Sequence, residues 1–158
     1  MTTSITLRKE LARAIRDGHP WIFRDAIERA PRIADGTIVD VRDRVGRILA
    51  AGFWDANSTI AVRVLETGPL RDPGGVLRER VGRALKHRLD RLDLRRTNAF
   101  RWIHGEADRL PGIHVDLYDD VAVVRYDGTG AEAFYGDLAT MLTEASIPVR
   151  AVIDRRSK

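Results

Sequence analysis

The stretch Gly18-His19-Pro20-Trp21-Ile22-Phe23 decides how this chain is read. Gly18 predicts a helix end, because glycine takes a positive φ at little cost. Pro20 blocks continuation of a helix and pushes His19 toward an extended shape. Trp21 and Phe23 stand two apart, so in a strand they point one way and Ile22 the other. Two aromatics beside a basic helix are either the core of a small domain or a platform against nucleic acid. The core reading is favoured for each ring, since buried aromatics are common.

Upstream of this stretch, Leu7, Leu11, Ala14 and Ile15 recur at helical spacing, which predicts a helix over Arg8–Arg16. Its other face carries Arg8, Lys9, Arg13 and Arg16, either as a solvated face or as phosphate contacts. Downstream, strands are predicted over Thr37–Arg42, Arg47–Trp54 and Ser58–Glu66, with a hairpin loop at Asp43–Gly46 and a bulge at Gly52. Ile60, Val62 and Val64 alternate, which places Arg63 among the outward positions. Short strands at this spacing, with one helix, suggest a small closed barrel ending near Thr67.

Gly68–Gly75 is the stretch dense in glycine and proline, and it reads as a linker between residues 1–67 and 76–158. Beyond it, Val76–Leu94 shows an apolar stripe at Leu77, Val81, Ala84, Leu85, Leu89 and Leu92. Between Val76 and Arg96 there are eight basic residues against three acids. That imbalance makes an RNA-facing role as reasonable as a solvated face. Strands are predicted over Asn98–His104, Ile113–Tyr118, Val121–Tyr126 and Val149–Ile153, and a helix over Ala131–Ala145. The fold class is α+β: a small β-barrel with a basic helix, then an α+β domain.

The chain has 158 residues, 44% hydrophobic and 32% charged, enough for one medium domain or two small ones. It has no apolar run of membrane-spanning length, no secretory signal pattern and no cysteine, and we expect a cytoplasmic protein. The sequence pI of about 9.9 favours a polyanionic partner.

Three constellations invite chemistry. Glu106, Asp108 and Asp116 could form an acid pair or metal site, but their spacing is unspecific and a structural turn is favoured. Val121–Gly130 is a strand leading into Gly-x-Gly, as at the start of a nucleotide or S-adenosylmethionine loop, with Ala133 at the third glycine's place and Asp154 where a ribose-binding acid could sit. Against this, Val121–Tyr126 reads as one arm of an antiparallel hairpin. We therefore assign no cofactor, no metal and no catalytic residue to this chain. The absence of cysteine also excludes thiolate chemistry.

In order along the chain, these motifs resemble those of the bacterial rRNA large-subunit cytosine-C5 methyltransferases that begin with a PUA domain. The likeness rests on Leu7–Phe23, with His19-Pro20-Trp21-Ile22-Phe23 its most specific part, on Ala50–Asp55 and Ile60–Val64, on Gly105–Asp116, and on Asp154-Arg155-Arg156-Ser157. Arg109 stands where the family usually has glycine, which speaks against a tight positive-φ turn there. The resemblance implies a PUA domain and a central α+β domain, with the Rossmann-like methyltransferase domain absent. It implies rRNA as partner and S-adenosylmethionine as cofactor only in a full-length relative. The expected RNA face comprises Lys9, Arg13, Arg16, His19, Trp21, Arg24 and Arg63, with the 78–91 arginines, Arg83 and Arg91 among them, as a second strip. A stand-alone PUA-like or ribosome-associated RNA-binding protein, a complete small enzyme using the 105–130 region, or a protein-interaction module are the competing readings. A homodimer is possible under any of them.

Overall fold

The structure is a computed structural model, and it describes residues 3–28 and 32–155. The chain divides into two compact units: one runs to Arg71 and takes in Gly128–Phe134, and the other holds Asp72–Asp127 and the chain from Tyr135 onward.

The first unit is built on a five-stranded sheet in the order β1-β3-β4-β5-β2. Its strands are β1 (Thr3–Thr6), β2 (Trp21–Phe23), β3 (Ile38–Arg42), β4 (Ile48–Trp54) and β5 (Ile60–Thr67). β1 runs parallel to β3, and the other pairs are antiparallel. The ladder between β4 and β5 shifts register between Ala51 and Gly52, the bulge the sequence predicts. A Cβ at Gly52 would stand 2.2 Å from the Arg63 carbonyl oxygen, so only glycine lets the two strands approach. The core gathers Ile5, Leu7, Ile15, Ile22, Val39, Val41, Trp54 and Val62.

The first helix is shorter than its periodicity suggests. α1 covers Ala12–Arg16, whereas Leu7 forms an isolated bridge with Ile27. Arg8 and Lys9 are thereby drawn out of the helix toward Asp25: the Arg8 Nε donates to its carbonyl oxygen and Lys9 pairs with its carboxylate. α1 ends as the sequence predicts. Gly18 has φ +91°, its N–H donates to Ile15 O at 3.0 Å, and the His19 N–H donates to Ala14 O at 2.9 Å. These two bonds satisfy carbonyls the helix would otherwise leave open.

The second unit carries a four-stranded sheet in the order β6-β7-β8-β9. Its strands are β6 (Ala99–His104), β7 (Ile113–Tyr118), β8 (Val121–Tyr126) and β9 (Ala151–Arg155). β6, β7 and β8 are antiparallel neighbours, and β9 joins β8 in parallel. α2 spans Pro73–Leu89, starting earlier and ending earlier than the predicted Val76–Leu94. Asp72 supplies the reason. Its carboxylate accepts the Gly75 N–H at 2.9 Å as an N-cap, and Pro73 stands at the first helical position, where its missing N–H costs nothing. The glycine–proline cluster is therefore partly a helix start. Leu77, Val81, Ala84 and Leu85 are buried as expected, and Trp102 packs fully buried with its Nε1–H donated to Val81 O at 3.1 Å.

The single helix predicted over Ala131–Ala145 is two helices, α3 (Thr129–Phe134) and α4 (Leu138–Thr143). α3 belongs to the first unit and α4 to the second, where Leu138 and Leu142 are buried. The break between them falls at Tyr135-Gly136-Asp137, and the Tyr135 hydroxyl donates to Pro111 O at 3.0 Å.

Arg109 corrects an expectation. It adopts a left-handed backbone with φ +59° despite its side chain, and its carbonyl accepts Arg80 Nη1 at 3.0 Å. The tight turn exists, held against a conformational cost of about 1 kcal/mol. Arg109→Gly should therefore raise the stability of the chain by roughly that amount, read as an upward shift in thermal midpoint; a downward shift would show that the arginine side chain outweighs the backbone strain.

No helix among the described residues is long and apolar enough to cross a membrane.

Candidate nucleic-acid interface

The stretch Gly18–Phe23 lies along β5. Pro20 O accepts the Val64 N–H at 2.8 Å, and Trp21 and Ile22 pair with Arg63 and Val62. Ile22 is fully buried, Trp21 half-buried and Phe23 40% exposed. The favoured core reading is thus corrected for Phe23, which is left toward solvent, while Trp21 keeps most of its surface covered. The aliphatic residue between them enters the core, because it faces the sheet interior. His19 is exposed and meets Trp21 edge-on, with ring centroids 6.2 Å apart.

The basic residues of the expected face divide sharply. Arg13 and Arg16 are exposed on α1, and Arg13 makes a long pair with Asp17 at 3.6 Å. Lys9 is half-exposed and paired with Asp25. Arg24 is committed internally. Its Nε and Nη2 donate to Ser58 O at 3.1 and 2.9 Å, and its guanidinium lies 5.0 Å from the Trp54 ring centroid. Such a residue rigidifies the loop, although it also lines an open depression with Lys9, Phe23, Asn57 and Thr59. Arg63 is a correction: it is buried, at 6% exposure, and is not on the surface. β5 sits between β4 and β2, and Ala61, Val62, Arg63 and Leu65 are all buried, so both of its faces are covered and simple alternation fails.

The second strip also divides. Arg80 is buried at 3% exposure. Arg88 grips Asp108 with two bonds of 2.6 and 2.7 Å and donates to Arg101 O. Both are scaffolding within the second unit. Arg83 is exposed and paired with Glu79, and Arg91 is exposed with Nη1 on His87 O. Each exposed i,i+4 ion pair is worth little and is easily given up to another anion.

Sequence reasoning missed the tip of the β3–β4 hairpin. Arg44, Val45 and Arg47 are exposed there, and Val45 is 76% exposed. With Arg8 and Lys9 they line a second depression. The signal was present as Arg44 inside the predicted loop and Arg47 just after it, read only as turn and strand residues. Asp43, held below its ordinary carboxyl range by the Arg47 guanidinium and the Arg47 and Val45 N–H groups, fixes the tip.

Two of the three acids in the constellation are engaged in structural bonds. Asp108 is spent on Arg88 and on the His104 N–H, and Asp116 on Arg101 at 2.7 and 3.0 Å. No group of metal-ligating side chains occurs among the described residues.

The Gly-x-Gly loop does not fit S-adenosylmethionine. β8 pairs antiparallel with β7 along its whole length but also parallel with β9, so the expectation that it is only a hairpin arm is corrected; the helix that follows the loop, α3, is however only six residues long. The space that a nucleotide loop keeps open is filled by Asp55. Its Oδ2 accepts the Gly130 N–H at 3.3 Å and stands 2.5 Å from where a Cβ of Gly128 would be. Asp154-Arg155 lies at the end of β9, and Arg156-Ser157 falls outside the described residues.

Residues 5–67 match the model of the PUA-like domain. The first unit contains a PUA-like domain. Beyond this PUA-like domain, the likeness extends over the whole chain. It is 36% identical over 165 residues to the ribosomal RNA large subunit methyltransferase I of Alteromonas mediterranea, covering 100% of this chain and 41% of the relative. It is 32% identical to the same enzyme of Tolumonas auensis, over 91% of this chain and 37% of the relative. The ribosomal RNA large subunit methyltransferase of Deinococcus radiodurans is 33% identical, over 91% and 36%. The chain is similar to the N-terminal part of these enzymes and spans about two fifths of their length. Among solved structures, a chain assigned as a SAM-dependent methyltransferase from Streptococcus mutans superposes with a TM-score of 0.74 at 10% identity, covering 90% of this chain and 38% of that one. A second structure assigned as a methyltransferase, in complex with SAH, gives 0.71 at 9% identity, covering 91% of this chain and 37% of that one. At such identities these structures speak for the fold alone.

Proposed function

We propose that this chain is the RNA-binding, substrate-positioning part of an S-adenosylmethionine-dependent rRNA cytosine-C5 methyltransferase, acting in the cytoplasm. The observation that carries the reading is full-length similarity to the N-terminal part of rRNA methyltransferases, with the PUA-like domain at its head. The RNA face comprises Lys9, Arg13, Arg16, His19 and Trp21, joined by Phe23 and the edge of Arg24. It pairs exposed cations with the exposed rings of His19 and Phe23 and the partly covered ring of Trp21, the combination that suits phosphate contact and base stacking. Arg83 and Arg91 supply a second, weaker strip. Arg63 has no place in the face.

Reversing both charges in Arg13→Glu/Arg16→Glu should weaken binding to structured rRNA fragments at least tenfold and flatten the salt dependence by about two counterion contacts. Titration by fluorescence anisotropy across ionic strengths reads both. Unchanged affinity and slope would leave α1 merely solvated. Trp21→Ala, added to the same series, should lower affinity while the far-UV spectrum and the cooperative melt survive. A collapse of the melt would restore the ring to a core role.

A further inference from the structure

The ladders of the second sheet bring cations into a row. His104 stands opposite His114, His114 opposite Arg125, and Arg125 opposite Arg155, so one line crosses all four strands. Residues directly opposite in a ladder share a face. His104, Arg125 and Arg155 are exposed. Arg125 and Arg155 make no ion pair with any described residue, whereas the acids nearby are already engaged: Asp116 with Arg101, and Asp127 with His114 at 3.3 Å. Two like charges set directly opposite destabilise a sheet. A surface that keeps them together gains when an anion bridges both.

A second row on the same face gives the anion a further character. Ala99, Tyr118, Val121 and Ala151 lie opposite one another in turn, and Tyr118 is 55% exposed among small and aliphatic neighbours. A ring standing clear of a flat apolar row, parallel to a row of cations, matches a chain with alternating bases and phosphates.

We propose that this face of the second sheet binds single-stranded RNA, with phosphates on the Arg125–Arg155 pair and a base on Tyr118. It rests on the reading of the chain as an RNA-binding part and extends it to a surface separate from α1. The test uses the whole chain and a fluorescein-labelled 20-nucleotide oligouridine. Arg125→Glu/Arg155→Glu should lower affinity about tenfold and flatten the salt slope by about 1.4, the value for two single-strand phosphate contacts. Tyr118→Ala should lower affinity several-fold without changing the slope, and a 4-thiouridine oligomer should photo-crosslink within Ile113–Tyr118. Affinity within twofold of the parent for both variants would overturn the proposal. So would a parent chain that dimerises in sedimentation and loses its dimer in Arg125→Glu/Arg155→Glu, which would make the face a protein interface. Because α1 is untouched, a parent that binds rRNA with sheet variants that bind equally well defeats this proposal alone. A parent that binds no RNA defeats the functional reading with it.

Discussion

Asp55→Ala is expected to cost the first unit about 3 kcal/mol or more, a fall in thermal midpoint on the order of 6–12 °C for a chain of this size. Asp55 is 1% exposed, and its carboxylate works in two directions. Oδ1 accepts the N–H groups of Asn57 and Ser58 at 3.3 and 3.1 Å and so shapes the loop between β4 and β5. Oδ2 accepts the Gly130 N–H, which anchors the segment Gly128–Phe134 against the PUA-like domain. A Cβ at Gly130 would stand 2.6 Å from Trp54 O, so the backbone is seated directly on β4. Phe134 then stacks on the buried Phe53, with ring centroids 4.6 Å apart. Removing the carboxylate strands donors, the Gly130 N–H being fully buried, and loosens this seat. Hydrogen exchange should show α3 deprotected before the strands of the PUA-like domain. If α3 keeps its protection and the melt is unchanged, Phe134 alone holds the segment.

The same segment marks how far the sequence could be read. The strands β3 and β5 were legible because each is rich in β-branched residues, β4 because it is apolar and returns from a turn, and Gly52 announced its bulge. The end of α1 was legible because Gly18 and Pro20 have few other uses. Three things were hidden, each for a physical reason. Arg63 looked outward because alternation assumes one covered face, and β5 has two. The run Ala131–Ala145 looked like one helix because its apolar spacing continues through Gly136, although Phe134 and Leu138 serve different units. The Gly128–Gly130 loop looked like a nucleotide cradle because its glycines permit a close approach; what approaches is Asp55, 73 or more positions earlier in the chain, which no local pattern reveals. In the interface, the exposed arginines of α1 were legible from helical spacing. The internal duties of Arg24, Arg80 and Arg88 were not, because a guanidinium bound to a carbonyl and one facing solvent look alike in sequence.

The largest effect expected is a complete one: this 158-residue chain, incubated alone with rRNA and labelled S-adenosylmethionine, should leave the RNA unlabelled while still retarding it in a gel. Carbon 5 of cytosine is too weakly nucleophilic to attack a methyl donor unaided. The cytosine-C5 chemistry that the family resemblance implies first adds an enzyme thiolate to the neighbouring C6, which gives C5 the character of an enamine carbon. A thiolate serves because it is abundant and strongly nucleophilic near neutral pH, where a serine hydroxyl is neither. The chain has no cysteine at any position, so the adduct cannot form on it. Its Gly128–Gly130 loop is occupied by Asp55 and offers the donor no open cradle. RNA binding and methyl transfer should therefore separate cleanly, with the first retained and the second absent. Methyl transfer above background by the pure chain would require a nucleophile other than sulfur. It would return attention to the carboxylates and histidines of residues 104–127, whose present partners assign them to structure.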